Sequence, residues 1–189
     1  MAQTSRRELL RRAAQGALGL LIGACLDRAS ARGTGKSSPR YRALASAEAE
    51  VLAHCADILV PGARAAGVAR YVDDQLRVEP ARSMLMLRYL RIDPPFLPFY
   101  RAGIRALERS AQARYAKAFV RLTAADATAL VTDMATGHLE GWSGPPAPLW
   151  YFVLRSDAVD VVYGTEAGFA RLGVPYMAHI TPPSPWGSV

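Results

Sequence analysis

The chain has 189 residues, of which 51% are hydrophobic and 21% are charged, and its formal net charge is +7. This composition excludes a disordered or low-complexity protein and allows one globular domain with a short extension. Four of the basic residues lie within the first twelve positions, and the remaining ones are scattered without forming a stripe. The positive charge therefore gives no pattern for nucleic-acid binding, and no nucleic-acid partner is expected.

Residues 1–31 have the organisation of an export signal. A charged start, S-R-R-E-L-L-R at 5–11, precedes a modestly apolar stretch at 13–25 that is too short to span a bilayer. The start resembles the twin-arginine export motif, whose pattern is S-R-R-x-F-L-K. The residues on its key positions are Arg6, Arg7, Leu9 and Leu10. The resemblance implies that the twin-arginine translocase exports the protein already folded, and it predicts a periplasmic location.

The two cysteines of the chain have different surroundings. The sequence I-G-A-C at 22–25 fits a lipoprotein cleavage box in which Cys25 would carry the lipid; cleavage near 29–31 and no cleavage are the alternatives. If Cys25 is lipidated or removed, Cys55 is left single. Because Cys55 lies in an apolar helical run, we predict a buried, unreactive thiol, with an intersubunit disulfide as the alternative.

Hydrophobic periodicity predicts a series of helices after a polar, Gly/Ser-rich linker at 32–43. Ser46 is predicted to cap the first helix, which ends at Pro61-Gly62. A second helix is predicted around 68–76 and a third over 83–90, followed by a proline-rich break at 93–98. Apolar residues at helical spacing return from Phe99 onward.

Two further helices are predicted in the second half of the chain. Thr123, with Asp126 three residues later, is predicted to cap a helix that reaches Met134, and a loop follows at 137–148. The apolar run 149–154 has the composition of a strand, but we predict a buried helix because no second strand exists to pair with it. The fold class is therefore all-α: a small helical bundle over 44–175 with an extended Pro-rich C-terminal tail at 176–189.

The sequence contains no recognisable catalytic, cofactor-binding or metal-binding motif. There is no dinucleotide-binding or c-type haem motif, and the three histidines (His54, His138, His179) lack metal-ligand spacing. The paired carboxylates Asp73-Asp74 are predicted to form a solvated helix face or a cap. Asp157 and Asp160 are predicted to fix a turn. No catalytic, cofactor-binding or metal-ligating residue is expected, so a free-standing enzyme such as a hydrolase is a poor hypothesis.

Three blocks of sequence together resemble the gluconate 2-dehydrogenase subunit 3 family, over about residues 44–175. The first block contains L-A-S-A-E at 44–48, A-D-I-L-V-P at 56–61 and A-G-V-A-R-Y-V-D-D-Q-L at 66–76. The second contains Tyr100 and the stretch 119–123. The third contains F-V-L-R at 152–155, V-Y-G at 162–164 and G-F-A-R-L-G-V-P at 168–175. Thr165-Glu166 and Phe169 depart from the family pattern, which has Gly-Asn and Trp there.

The resemblance implies a non-catalytic small subunit of an inner-membrane dehydrogenase complex. In such complexes a large flavoprotein of the glucose-methanol-choline type holds FAD and oxidises a sugar or polyol, and a multihaem cytochrome c passes on the electrons. The small subunit carries the export signal and escorts the flavoprotein. The expected interface with the flavoprotein consists of Tyr163, Gly164, Phe169, Pro175, Tyr176 and Trp186. The alternative is a periplasmic lipoprotein-type binding or scaffold module anchored through Cys25.

Overall fold

The computed structural model describes residues 41–175, and this part of the chain contains seven α-helices and no strand. The helices are α1 (Ser46–Leu59), α2 (Val68–Gln75), α3 (Met86–Tyr89), α4 (Leu97–Tyr115), α5 (Ala124–Thr136), α6 (Ala147–Tyr163) and α7 (Glu166–Arg171). Single 3-10 turns lie at Pro80–Arg82 and Phe119–Arg121. The all-α prediction is confirmed. The predicted export signal, most of the linker and the tail at 176–189 lie outside the described residues.

The predicted cap of the first helix is wrong by one residue. Ser46 is already helical and exposed, and Ala45 holds the cap position with an extended backbone. Alanine has no side-chain acceptor for the amides of the first turn. The carboxylate of Glu48 instead stabilises this end of the helix by accepting a hydrogen bond from the Ala45 amide at 2.9 Å. The predicted cap at Thr123 is confirmed, because its hydroxyl accepts from the Asp126 amide at 3.2 Å.

Prolines mark the starts of two helices. Pro98 lies in the first turn of α4, where its missing N–H needs no partner, so the helix begins at Leu97, inside the break predicted at 93–98. The third predicted helix shrinks to the single turn of α3. The run 149–154 is helical as predicted and forms part of α6, which begins next to Pro146 and Pro148.

Helix α6 is the centre of the bundle and packs against α1 through α5. Trp150 on α6 and Tyr100 on α4 are among the largest completely buried side chains. Cys55 on α1 is also completely buried, and this burial raises the pKa of its thiol. The prediction of a buried thiol is thus confirmed. Within 41–175, no helix has both the length and the apolar character needed to cross a membrane.

Candidate partner-binding surface

Helix α6 has a buried apolar face and an outer face that exposes two large apolar side chains. The inner face carries Trp150, Val153, Leu154 and other buried residues. On the outer face Phe152 is 46% exposed and Val159 is 37% exposed. These two residues are seven positions apart, which is close to two helical turns, so they lie on the same side of the helix. Exposed Arg155 lies between them on this side and exposed Asp160 adjoins Val159, so the outer face is mixed, and its two large exposed apolar side chains are typical of a surface that a partner covers.

The turn from α6 into α7 is fixed by local hydrogen bonds and by a close approach of the two helices. Thr165 begins α7 by accepting a hydrogen bond from the Gly168 amide at 3.1 Å. Gly168 is buried against α6, and a Cβ on it would lie 2.5 Å from the Cα of Tyr163, so only glycine permits this close crossing. The Arg171 guanidinium donates to the Val162 carbonyl at 3.2 Å and ties the far end of α7 to α6.

The chain leaves α7 with more exposed apolar side chains. Leu172 is 56% exposed and Val174 is 49% exposed. We define the α6–α7 surface as Phe152, Val159, Tyr163, Leu172 and Val174. Four of the expected interface residues lie on or beside it: Tyr163 and Phe169 are half-buried, and Gly164 and Pro175 are exposed. Tyr176 and Trp186, like Arg6, Arg7, Leu9, Leu10 and Cys25, lie outside the described residues.

Asp157 does not fix a turn, contrary to the prediction, but lies completely buried in the middle of α6. Its carboxylate accepts a hydrogen bond from the Tyr100 hydroxyl at 2.5 Å and another from the Met86 amide at 2.9 Å. Burial raises the pKa of Asp157 to about 6, although these two hydrogen bonds act in the opposite direction. Burial and the carboxylate of Asp157 together raise the pKa of Tyr100. Asp157 therefore joins α6 to α4 and to the start of α3. Asp160, also predicted to fix a turn, lies within α6 as well.

The predicted solvated pair Asp73-Asp74 is divided between two environments. Asp74 is half-exposed and pairs with Arg70 at 3.3 Å, as predicted for a solvated helix face. Asp73 is buried, and its carboxylate accepts hydrogen bonds of 2.8 to 3.1 Å from the amides of residues 42–44. Burial acts to raise the pKa of Asp73, but these backbone hydrogen bonds outweigh it and lower the pKa. Asp73 therefore attaches the segment before α1 to α2.

Comparison with protein families decides which family this helical domain represents. The family model of gluconate 2-dehydrogenase subunit 3 matches residues 46–179, which include all seven described helices. The chain belongs to the gluconate 2-dehydrogenase subunit 3 family. Membership assigns it to the subunits of dehydrogenase complexes. No significant match was found among curated proteins or solved structures.

The outer face of α6 in this subunit 3 protein was not predicted, because the run 149–154 is predicted to form a buried helix, whereas Phe152 is exposed. The missed residues are Phe152 and Val159, together with Leu172 and Val174. Helical spacing places 152 and 159 opposite the buried Trp150 and Asp157, so the signal was present once the run was taken as a helix. The run 149–154 is apolar throughout, and the periodicity within such a run cannot show which of its faces is covered.

The described histidines of the subunit 3 protein have surroundings that fit core or surface roles. His54 is half-buried and meets the ring of Phe119 edge-on, with ring centroids 5.3 Å apart. Burial, assisted by the charge of Arg64, lowers the pKa of His54. His138 is exposed, and His179 lies outside the described residues. Within 41–175 no three His, Cys, Asp or Glu side chains are grouped so that they could hold a metal ion.

Proposed function

We propose that the chain is the non-catalytic small subunit of a periplasmic FAD-dependent sugar or polyol dehydrogenase of the glucose-methanol-choline type. It escorts the catalytic flavoprotein through the twin-arginine pathway and stabilises it in a complex at the inner membrane. The observation that carries the proposal is the family match across 46–179, which spans the described helical domain. In this proposal FAD belongs to the large subunit and haem c to a multihaem cytochrome subunit.

The α6–α7 surface supports binding to a large partner subunit. The residues that define it are aliphatic or aromatic; Phe152, Val159 and Tyr163 lie on α6, which packs on the core, and Leu172 and Val174 follow the end of α7. Each exposed side chain of this size gains free energy when a partner removes it from water, at about 25 cal/mol per Å² of apolar area. Because α6 is already packed in the bundle, its exposed residues need little ordering on binding. The catalytic flavoprotein is the partner that the family relationship favours.

The export part of the proposal is tested by replacing Arg6 and Arg7 with lysine. We expect both this chain and the flavoprotein to remain in the cytoplasm, because the twin-arginine motif that it resembles is read as a pair of arginines. Cell fractionation followed by immunodetection of both chains measures the result. Arg11→Lys with Arg12→Lys makes the same chemical change outside the pair and serves as the control. Continued export of the flavoprotein in the Arg6/Arg7 variant would disprove the escort role.

The binding part of the proposal is tested by Val159→Glu. A carboxylate in the middle of an apolar interface loses its water on binding, so we expect affinity for the flavoprotein to fall about 30-fold, as at an interface hot spot. Val78→Glu is the matched control, because Val78 is 36% exposed and lies outside the α6–α7 surface. Affinity is measured by titrating labelled subunit into purified flavoprotein. Equal losses in both variants would argue against this surface as the interface.

A further inference from the structure

A concave surface lies between α1 and α4, and its lining shares no residue with the α6–α7 surface. This groove has a volume of about 380 Å³. Its apolar lining comes from α1, α4 and the turn at 118–120, and consists of Ala47, Val51, Ile104, Ala118 and Val120. Its charged lining consists of Glu48, Glu50, Arg105 and Glu108. We call it the Glu108 groove.

Glu108 is poorly satisfied within the fold. Its Oε1 atom is buried and has no hydrogen-bond partner, while Oε2 accepts one long hydrogen bond of 3.4 Å from the Phe119 amide. Burial raises the pKa of Glu108, and the hydrogen bond from Phe119 opposes that effect only in part. A buried carboxylate oxygen without a partner destabilises a protein. Glu108 is therefore unfavourable for the isolated fold, which is typical of a residue kept for binding.

The charges around the groove leave a negative excess. Glu48 is already paired, because its carboxylate lies 3.1 Å from the Arg101 guanidinium and accepts from the Ala45 amide. Neither Glu50 nor Glu108 takes part in an ion pair with any described residue. Arg105 is the single basic residue in the lining. The groove thus combines apolar walls with two uncompensated carboxylates against one guanidinium.

We propose that the Glu108 groove binds a lysine or arginine side chain carried by an apolar segment of the catalytic flavoprotein. The aliphatic stem of that side chain lies along Val51, Ile104 and Val120, and its cationic end faces the carboxylates of Glu50 and Glu108, which line the groove. Long basic side chains suit such a site because they combine an apolar stem with a charged head. An anionic segment is disfavoured by the two carboxylates. The inference rests on the proposed function, since it assigns a second contact to the same partner.

The first test is Glu108→Gln in the full chain, which removes the negative charge and keeps the size of the side chain. We expect affinity for purified flavoprotein to fall about tenfold, because a charge-assisted hydrogen bond is lost. The thermal midpoint of the isolated subunit is expected to stay the same or rise, because an unsatisfied buried carboxylate is removed. Glu140→Gln is the matched control, since Glu140 is exposed and lies outside the groove. A residue with only a structural role would instead lower the thermal midpoint.

The second test is Ala118→Phe, which fills the groove from its exposed rim and leaves every carboxylate in place. We expect the same loss of affinity as in Glu108→Gln. If both groove variants bind the flavoprotein like the wild-type chain, the inference is overturned. It is also overturned if they change self-association of the subunit and leave flavoprotein binding intact, because a second copy would then occupy the groove. If the wild-type chain itself does not bind the flavoprotein, the proposed function fails instead.

Discussion

Replacing Gly103 with alanine is expected to destabilise the protein by about 3 kcal/mol or more. Gly103 lies in the interior of α4 and faces the ring of Trp150 on α6. A Cβ at position 103 would lie 1.9 Å from Nε1 and 2.2 Å from Cδ1 of that ring. Trp150 is completely buried, so its ring cannot turn into solvent to relieve the overlap. Overpacking of a core commonly costs about 1–3 kcal/mol, and an overlap this severe lies at or above that range.

The sign of this effect separates packing from helix propensity. In an uncrowded helix interior, glycine is less favourable than alanine by about 1 kcal/mol, so the substitution would stabilise the protein. Urea unfolding followed by circular dichroism measures the difference. The control is Trp150→Leu, which removes the ring: in that background Gly103→Ala is expected to be nearly neutral or stabilising. A Gly103→Ala chain as stable as the wild type would contradict the close packing of α4 on α6.

The helices of the bundle could be predicted because their signals are local. Each of these signals lies within a few residues of the structure that it determines. They are the cap at Thr123, the prolines at the starts of α4 and α6, and the apolar spacing from Tyr100 onward. The cap at Ser46 failed for an equally local reason. Glu48 satisfies the Ala45 amide, which permits a residue without a side-chain acceptor at the cap position. Sequence alone does not show which of the two arrangements forms.

The polar interior could not be predicted, because its partners are distant in the chain. Asp157 meets Tyr100 and the Met86 amide, which are 57 and 71 positions away. Asp73 accepts from amides about 30 positions earlier. A carboxylate with polar neighbours in the sequence is predicted to lie on the surface. Tertiary packing with distant residues decides whether it is instead a buried hydrogen-bond acceptor. The same holds for Gly103, whose role depends on a ring that lies on another helix.

The interaction of Asp157 predicts an unusual dependence of stability on pH. Its carboxylate is buried with a tyrosine hydroxyl and an amide, and no cation is hydrogen-bonded to it in the described part of the chain. The neighbouring titratable groups are Tyr71 on α2 and Asp160 on α6 itself, neither of which supplies a positive charge. The folded-state pKa of Asp157 is about 6, compared with about 3.9 in an unfolded chain. The folded state therefore holds this proton more tightly than the unfolded state.

A raised folded-state pKa stabilises the protein at low pH, and this stabilisation is lost as pH rises from about 4 to about 6. The shift corresponds to roughly 3 kcal/mol between the two limits. Asp157→Asn cannot ionise and therefore does not lose this stabilisation as pH rises. The free energy of unfolding of the variant minus that of the wild type is expected to increase by roughly 3 kcal/mol from pH 4 to pH 7. Asp73, whose pKa is lowered, has the opposite trend, but it is present in both proteins and cancels in the comparison.

Denaturant unfolding at several pH values measures the difference, and Asp74→Asn controls for the loss of one exposed negative charge. A difference that stays constant from pH 4 to 7 would mean that Asp157 ionises in the folded protein as readily as in the unfolded chain, and its burial against Tyr100 would then carry no electrostatic cost.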